Sequence, residues 1–127
     1  MKIEVSTGEL VDKVTILEIK TEKFKNADKL ANVKKEYALL RVDMESLGIK
    51  TDSDVFLRLK KVNICLWHIE DDIRIEEYNS RFGDKFIELA RSVYVENDTR
   101  AEIKKEINIS YGSNLVEEKE YVDYKQK

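Results

Sequence analysis

Apolar residues recur along this chain at intervals of three and four, which is the spacing of one face of an α-helix. The clearest series consists of Leu30, Val33, Tyr37, Leu40, Met44 and Leu47. Before this series, Ser6 and Glu9 form a capping box that predicts the start of a first helix ending near Lys25 or Asn26. Because the connection between these two helices is short, we expect them to be antiparallel neighbours.

The third predicted helix is the longest, from about residue 51 to residue 82, and it is apolar on two sides. One side carries Val55, Leu59, Val62, Leu66, Ile69 and Ile73, and nearly opposite lie Leu57, Ile64 and Ile75. A helix of about 30 residues spans roughly 45 Å, whereas a compact domain of this size has a radius of gyration of about 14 Å. We therefore predict a homodimer that buries Leu57, Ile64 or Ile75 between chains.

The last part of the chain predicts two shorter helices. Asp84 caps the first, a break follows at residues 96–98, and Gly112 ends the second. Gly48 and Gly83 also follow periodic segments, so all three glycines are expected to be left-handed caps. The alternation of residues 1–5 predicts a short edge strand, and residues 113–127 are expected to fray. The sequence thus predicts one all-α domain over residues 1–127, a bundle of five helices with a long central third helix.

Charge and composition narrow the classes of partner. The net charge of −3 argues against nucleic-acid binding. No apolar stretch approaches the ~18 residues of a membrane span, and nothing near Met1 resembles a signal peptide. We therefore expect a cytoplasmic protein with no membrane partner. Cys65, the single cysteine, excludes an intramolecular disulfide and is expected to be a small buried apolar residue.

Candidate chemistry is concentrated on the predicted third helix. Asn63, Trp67, Glu70 and Arg74 are separated by four, three and four residues, so they share one helix edge. Glu70 and Arg74 are expected to be partly desolvated there. Two interpretations stay open: the charged pair binds a polar ligand beside the indole ring, or it is an intrahelical ion pair. His68 points away from this edge and is expected to be a packed or surface residue.

A second polar group follows the predicted break and comprises Asn97, Asp98, Arg100 and Lys104. A helix N-terminus followed by two cations can hold a phosphate or a carboxylate. The alternative is that Asn97 or Asp98 caps the helix while the cations are solvated.

The chain contains only fragments of the motifs that metal-dependent helical enzymes use. All-helical nucleotide pyrophosphohydrolases bind magnesium through paired acidic motifs, of which Glu70-Asp71 is a fragment. Di-iron bundles need two Glu-x-x-His motifs, and the chain has one histidine. We therefore expect no bound metal and no cofactor.

Three segments together carry a family resemblance. They are Val5-Ser6-Thr7-Gly8-Glu9-Leu10-Val11-Asp12-Lys13-Val14-Thr15-Ile16-Leu17-Glu18-Ile19-Lys20, Leu66-Trp67-His68-Ile69-Glu70-Asp71-Asp72-Ile73-Arg74, and Ala90-Arg91-Ser92-Val93-Tyr94 with Asn97-Asp98-Thr99-Arg100-Ala101 and Lys104. These segments resemble a small uncharacterised helical protein family found in bacteria and phages, including cyanophages. The resemblance runs from Met1 to about Tyr124 and implies almost nothing about activity.

The resemblance does imply where a site would form, because its polar residues come from three separate parts of the chain. We expect them to converge around one polar pocket or one closed salt-bridge network. The candidate residues are Glu9, Asp12, Glu18, Asn63, Trp67, Glu70, Asp71, Arg74, Asn97, Asp98, Arg100 and Lys104.

The sequence favours a non-enzymatic helical binding or adaptor protein that acts through protein–protein contacts with a host protein, a phage protein or itself. The family resemblance implies that such a protein can be encoded by a phage. No catalytic constellation can be completed from its residues. The alternative is a small-ligand binder, or a metal-dependent helical enzyme of the nucleotide phosphohydrolase type, with its site where the three polar segments meet.

Overall fold

The computed structural model describes residues 1–125, and that part of the chain contains four α-helices. They are α1 (Thr7–Lys23), α2 (Ala27–Ser46), α3 (Asp54–Tyr78) and α4 (Asp84–Ser110). α1 packs against each of the other three helices, and α3 packs against α4. The all-α class and the helical bundle that the sequence predicts are confirmed. No described helix is long and apolar enough to cross a membrane.

Capping explains where the first two helices begin. The Ser6 hydroxyl accepts a hydrogen bond from the Glu9 amide at 3.1 Å, and the Asn26 side chain accepts one from the Lys29 amide at 3.0 Å. Each bond satisfies an amide that the helix itself leaves unpaired. The buried core then joins all four helices through Val11, Val14, Met44, Ile49, Phe56, Leu59, Val62, Ile103 and Ile107.

The prediction of five helices is wrong, because α4 continues without interruption through residues 96–98. Asn97 and Asp98 have weak helix propensity, but side-chain contacts, one within α4 and one with the segment after it, outweigh this preference. Asn97 accepts a hydrogen bond from Arg100, and Asp98 accepts one from the Tyr124 hydroxyl at 2.7 Å. Side chains that would otherwise compete with the helix backbone are thus engaged elsewhere.

The predicted edge strand is also absent, since residues 1–5 are exposed and no strand lies within residues 1–125. Gly48 and Gly112 adopt positive φ angles, of 86° and 61°, as expected of helix-ending glycines. Gly83 does not: it precedes α4 with φ −86°, and the left-handed residue between α3 and α4 is Ser80, with φ 54°. α3 accordingly ends at Tyr78 and is shorter than predicted.

The segment after α4 lies along that helix in an extended conformation. The Tyr124 ring meets Tyr94 edge-on, with centroids 4.9 Å apart, and Glu117 contacts Lys104. The fraying predicted for residues 113–127 also concerns residues 126 and 127, which lie outside the described part of the chain.

α1 divides the long α3–α4 hairpin into two regions. The first half of α3 and the second half of α4 pack on α1 and contain most of the buried residues of these two helices. The remaining region, residues 70–95, is called the distal hairpin here. Its one fully buried residue is Glu76, which Arg81 and Lys85 contact.

Candidate functional site

The buried carboxylate of Asp12 is the centre of the polar residues that the sequence singles out. Only 1% of the Asp12 surface is exposed. Arg100 donates to both carboxylate oxygens, through Nε at 3.0 Å and through Nη2. Asn63 Nδ2 donates to the same carboxylate at 2.8 Å and to Thr15 Oγ1 at 2.8 Å. Segments from α1, α3 and α4 therefore converge on one acidic group.

Hydrogen bonding to Asp12 also stabilises the charged form of Arg100. This bond, helped by the negative charges of Asp12, Glu9 and Glu117, raises the pKa of the Arg100 guanidinium above its usual value. A bidentate pair between a guanidinium and a carboxylate is one of the stronger polar contacts in proteins. The pair fixes the orientation of Arg100 at the edge of the α1–α4 interface.

Lys104 extends the network by one helical turn along α4. Its Nζ lies 2.8 Å from Glu9 Oε2, 3.1 Å from Glu117 Oε2 and 3.9 Å from Asp12 Oδ2. Burial alone lowers the pKa of Lys104, but the hydrogen bond to Glu9 and the nearby acidic charges outweigh it, and the pKa is raised. Lys104 in turn lowers the pKa of Glu117. Glu117, which the sequence did not single out, completes the neutralisation of Lys104.

α1 approaches α4 most closely at Gly8. The Gly8 amide donates to Asn108 Oδ1 at 2.6 Å, and a Cβ placed here would clash with the Lys104 carbonyl oxygen. Sequence reasoning missed the role of Gly8. The available signal was a glycine in the first turn of a helix, where its low helix propensity has to be offset by another contact.

Glu18 belongs to a different cluster. Its carboxylate accepts hydrogen bonds from Lys60 Nζ at 2.6 Å and from the Tyr37 hydroxyl at 2.5 Å. Burial, followed by the hydrogen bond to Glu18, raises the pKa of Tyr37 to about 12. Glu18 thus ties α1 to α2 and α3 and does not join the ion pairs around Asp12.

A cleft of about 570 Å³ opens beside the Asp12–Arg100 pair. Ile16, Ile19, Leu66 and Trp67 give it apolar walls. The half-buried Trp67 also packs on Phe24, with ring centroids 6.2 Å apart. The polar lining consists of Asn63, Glu70, Asp71, Arg74, Asn97 and Arg100. The structure therefore contains both arrangements expected from the sequence, a paired network and an open cleft next to it.

Glu70 and Arg74 lie at the exposed rim of the cleft, not at the desolvated edge that the sequence predicts. Their ion pair spans 3.1 Å, and the side chains are 49% and 77% exposed, respectively. The physical reason is the length of α1, which ends at Lys23 and does not cover this part of α3. Asp98 lies away from the cleft and contacts Tyr124, while His68 is exposed.

Two further properties describe the ionisable groups. Within residues 1–125, no cluster of three or more His, Cys, Asp or Glu side chains has the geometry to hold a metal ion. Every buried side-chain polar atom of that region has a hydrogen-bond partner. Cys65 is half-buried, and burial raises the pKa of its thiol.

Comparison with known proteins places the chain in a protein family. Residues 1–125 match the model of a family described as "Family of unknown function (DUF6165)". No curated protein and no solved structure matches the chain. The match confirms the resemblance to an uncharacterised family.

Proposed function

The chain belongs to this family of unknown function, and we propose that it is a helical binding protein that acts through contacts with other proteins and not as an enzyme. The observation that carries the proposal is the outward face of α3. Leu57 and Ile75 are each 52% exposed on this face, and Ile64 is half-buried between them. Large apolar side chains aligned on one helix face are typical of protein–protein contact surfaces.

The internal pairing of the polar groups supports the same conclusion. A general acid or base has to reach a substrate and exchange a proton with it. Asp12 is buried and held by Arg100 and Asn63, and Lys104 is held by Glu9 and Glu117. Such pairing favours a role in positioning the helices over a role in proton transfer.

A second copy of the chain is the partner that we propose for the outward face of α3. In a two-fold symmetric dimer the same surface of both subunits makes the contact, so one apolar stripe covers another. The cytoplasmic location and the occurrence in bacteria and their phages remain expectations from the sequence.

Light scattering at tens of micromolar protein tests the assembly. We expect a dimer for the native chain and a monomer for Ile75→Lys, because an ammonium group on the covered stripe would have to lose its hydration. Glu77→Lys, at an exposed position of the same helix, is the control and should remain a dimer. A native chain that is monomeric would show the self-association to be wrong.

A thermal-shift screen tests the alternative class of function. Nucleotides, sugar phosphates and divalent cations are added one at a time to the native chain. We expect the melting temperature to stay constant with each of them. A saturable increase of several degrees would favour a small-ligand binder or a metal-dependent enzyme over the proposed function.

A further inference from the structure

The groove between α3 and α4 is occupied by α1 over only part of its length. In the occupied part, Asp12 contacts Asn63 on α3 and Arg100 on α4, and the Gly8 amide reaches Asn108 on α4. Phe24, which directly follows α1, packs on Trp67 and marks the level at which α1 ends. The helix pair continues beyond that level without a third helix on this side.

Helical spacing shows which residues line the continuation of the groove. On α3, Glu70 and Arg74 follow Asn63 and Trp67 at intervals of three and four residues, so they share one face. On α4, Phe86, Ala90 and Val93 precede Asn97 and Arg100 at the same spacing. These three residues are half-buried, and Asn97 and Arg100 line the cleft beside α1. The cleft is thus the start of a longer groove, which we call the open groove.

We propose that the open groove binds an amphipathic helix of another protein whose polar edge is basic. On α3 the groove face of Trp67, Glu70 and Arg74 adjoins the stripe of Leu57, Ile64 and Ile75. Asp71, seven residues after Ile64, lies on the groove side of that stripe. The shape argument is continuity: the same two helices already hold α1, and a second helix laid beyond it meets Trp67 on α3 and the half-buried Phe86 and Val93 on α4. Helix-in-groove binding of this kind uses apolar anchors at intervals of three and four residues.

Charge defines the polar edge of the partner. Glu70 pairs with Arg74, and Asp12 pairs with Arg100, so these charges cancel. Asp71 lines the cleft and makes no ion pair with any residue from 1 to 125. The rim therefore carries an uncompensated carboxylate next to the indole ring of Trp67, and both groups attract a cationic side chain.

Trp67 provides a site-specific signal, because it is the only tryptophan of the chain and lines the cleft. The probes are three synthetic peptides of about 18 residues, which is roughly five helical turns. The first is an amphipathic helix of leucine, alanine and lysine, and the second replaces every lysine with glutamate. The third contains the residues of the first in an order that destroys the helical spacing. Trp67 emission is titrated with each peptide.

We expect saturable binding of the basic amphipathic peptide alone. Asp71→Lys should weaken this binding by about tenfold, which corresponds to about 1.4 kcal/mol. Asp72→Lys is the matched control: it changes the net charge equally at the next exposed residue of α3, outside the cleft, and should leave the affinity within about twofold.

Two kinds of result would contradict the proposed groove. Equal binding of the acidic or the reordered peptide, or equal weakening by Asp72→Lys, would overturn the proposed partner chemistry, and no response of Trp67 to any peptide would overturn the groove as a helix site. The light-scattering experiment separates these failures from a failure of the proposed function. Because Asp71 borders the stripe that a second copy would cover, the peptides are also titrated into the monomeric Ile75→Lys variant. No binding to that monomer would overturn the groove while a native dimer keeps the contact through Ile75, whereas a native chain that is monomeric and binds the basic peptide does the reverse.

Discussion

The two ends of the α3–α4 hairpin use the same kinds of residue in opposite ways. Next to α1, charged groups such as Asp12 and Lys104 are buried and paired, and apolar side chains form the core. In the distal hairpin, the Glu70–Arg74 pair is exposed, and Ile75 and Ile87 each expose about half of their surface. Glu76 is the exception, because Arg81 and Lys85 bury and pair it within the hairpin itself. For the other charged residues compared here, the presence of a third helix, more than the local sequence, decides whether they stabilise the fold or remain available to a partner.

The strongest test of this comparison removes the central charge. Asp12→Asn keeps the shape of the side chain but leaves Arg100 and Lys104 without the carboxylate between them. Breaking a buried ion pair in this way costs about 3–5 kcal/mol. We expect a loss of this size in the free energy of unfolding, measured by urea denaturation. A loss below about 1 kcal/mol would show that the network contributes little to stability.

The second test changes the close approach of α1 to α4. Gly8→Ala places a methyl group against the Lys104 carbonyl oxygen and 3.0 Å from Asn108 Oδ1. We expect a destabilisation of about 1–3 kcal/mol, which is typical of overpacking, despite the better helix propensity of alanine. Gly83→Ala is the control, because nothing lies within 4 Å of its added methyl group. Equal unfolding curves for the two variants would contradict a tight α1–α4 contact.

The third test uses acid. Arg81 lowers the pKa of Glu76 in the distal hairpin, and Lys104 lowers that of Glu117 near α1. A carboxyl group with a lowered pKa in the folded state stabilises the protein above its unfolded value of 4.5, and this stabilisation is lost as the pH falls through the folded value.

We therefore expect the urea concentration at the unfolding midpoint to decrease as the pH is lowered below 4.5, and to change little with pH above that value. Glu76→Gln and Glu117→Gln should each reduce this acid sensitivity. The two variants compare the hairpin ends, since one removes a distal ion pair and the other a proximal one. Variants as acid-sensitive as the native chain would assign the sensitivity to other carboxylates.

The smallest effect is expected at Glu70 and Arg74. Because this pair is exposed, Glu70→Ala, Arg74→Ala and the double variant should each lose less than about 0.5 kcal/mol of unfolding free energy. The partial desolvation that the sequence predicted would give a loss of about 3 kcal/mol or more for either single variant. A single variant that loses more than about 2 kcal/mol would show that the pair is desolvated after all.

Local signals were sufficient for the helices that begin with a side-chain cap. The capping box of Ser6 and Glu9 identified the start of α1, because the required contact spans only three residues. The prediction of a break at residues 96–98 was wrong. The side chain of Asp98 accepts a hydrogen bond from Tyr124, which lies 26 residues away in sequence. Helix propensity contains no information about such a contact.

The candidate site was predictable in its membership more than in its geometry. The resemblance to a family pointed to Asp12 and Arg100, and helical spacing along α3 added Asn63. The structure brings the three residues into contact. Spacing along α3 placed Glu70 and Arg74 on the same edge as Asn63, which is correct, but it could not show that α1 stops before reaching them. Burial depends on the length of a neighbouring helix, and that length is encoded elsewhere in the chain.

The continuity of α4 has a mechanical consequence. Its 27 residues form one uninterrupted helix, a rod of roughly 40 Å that begins in the distal hairpin and ends beside Gly8. A sharp kink normally requires a proline, a bulge or an inserted group, and the chain has no proline. A displacement of the distal hairpin is therefore carried along a stiff helix to Arg100, where the ion pair with Asp12 holds α4 against α1.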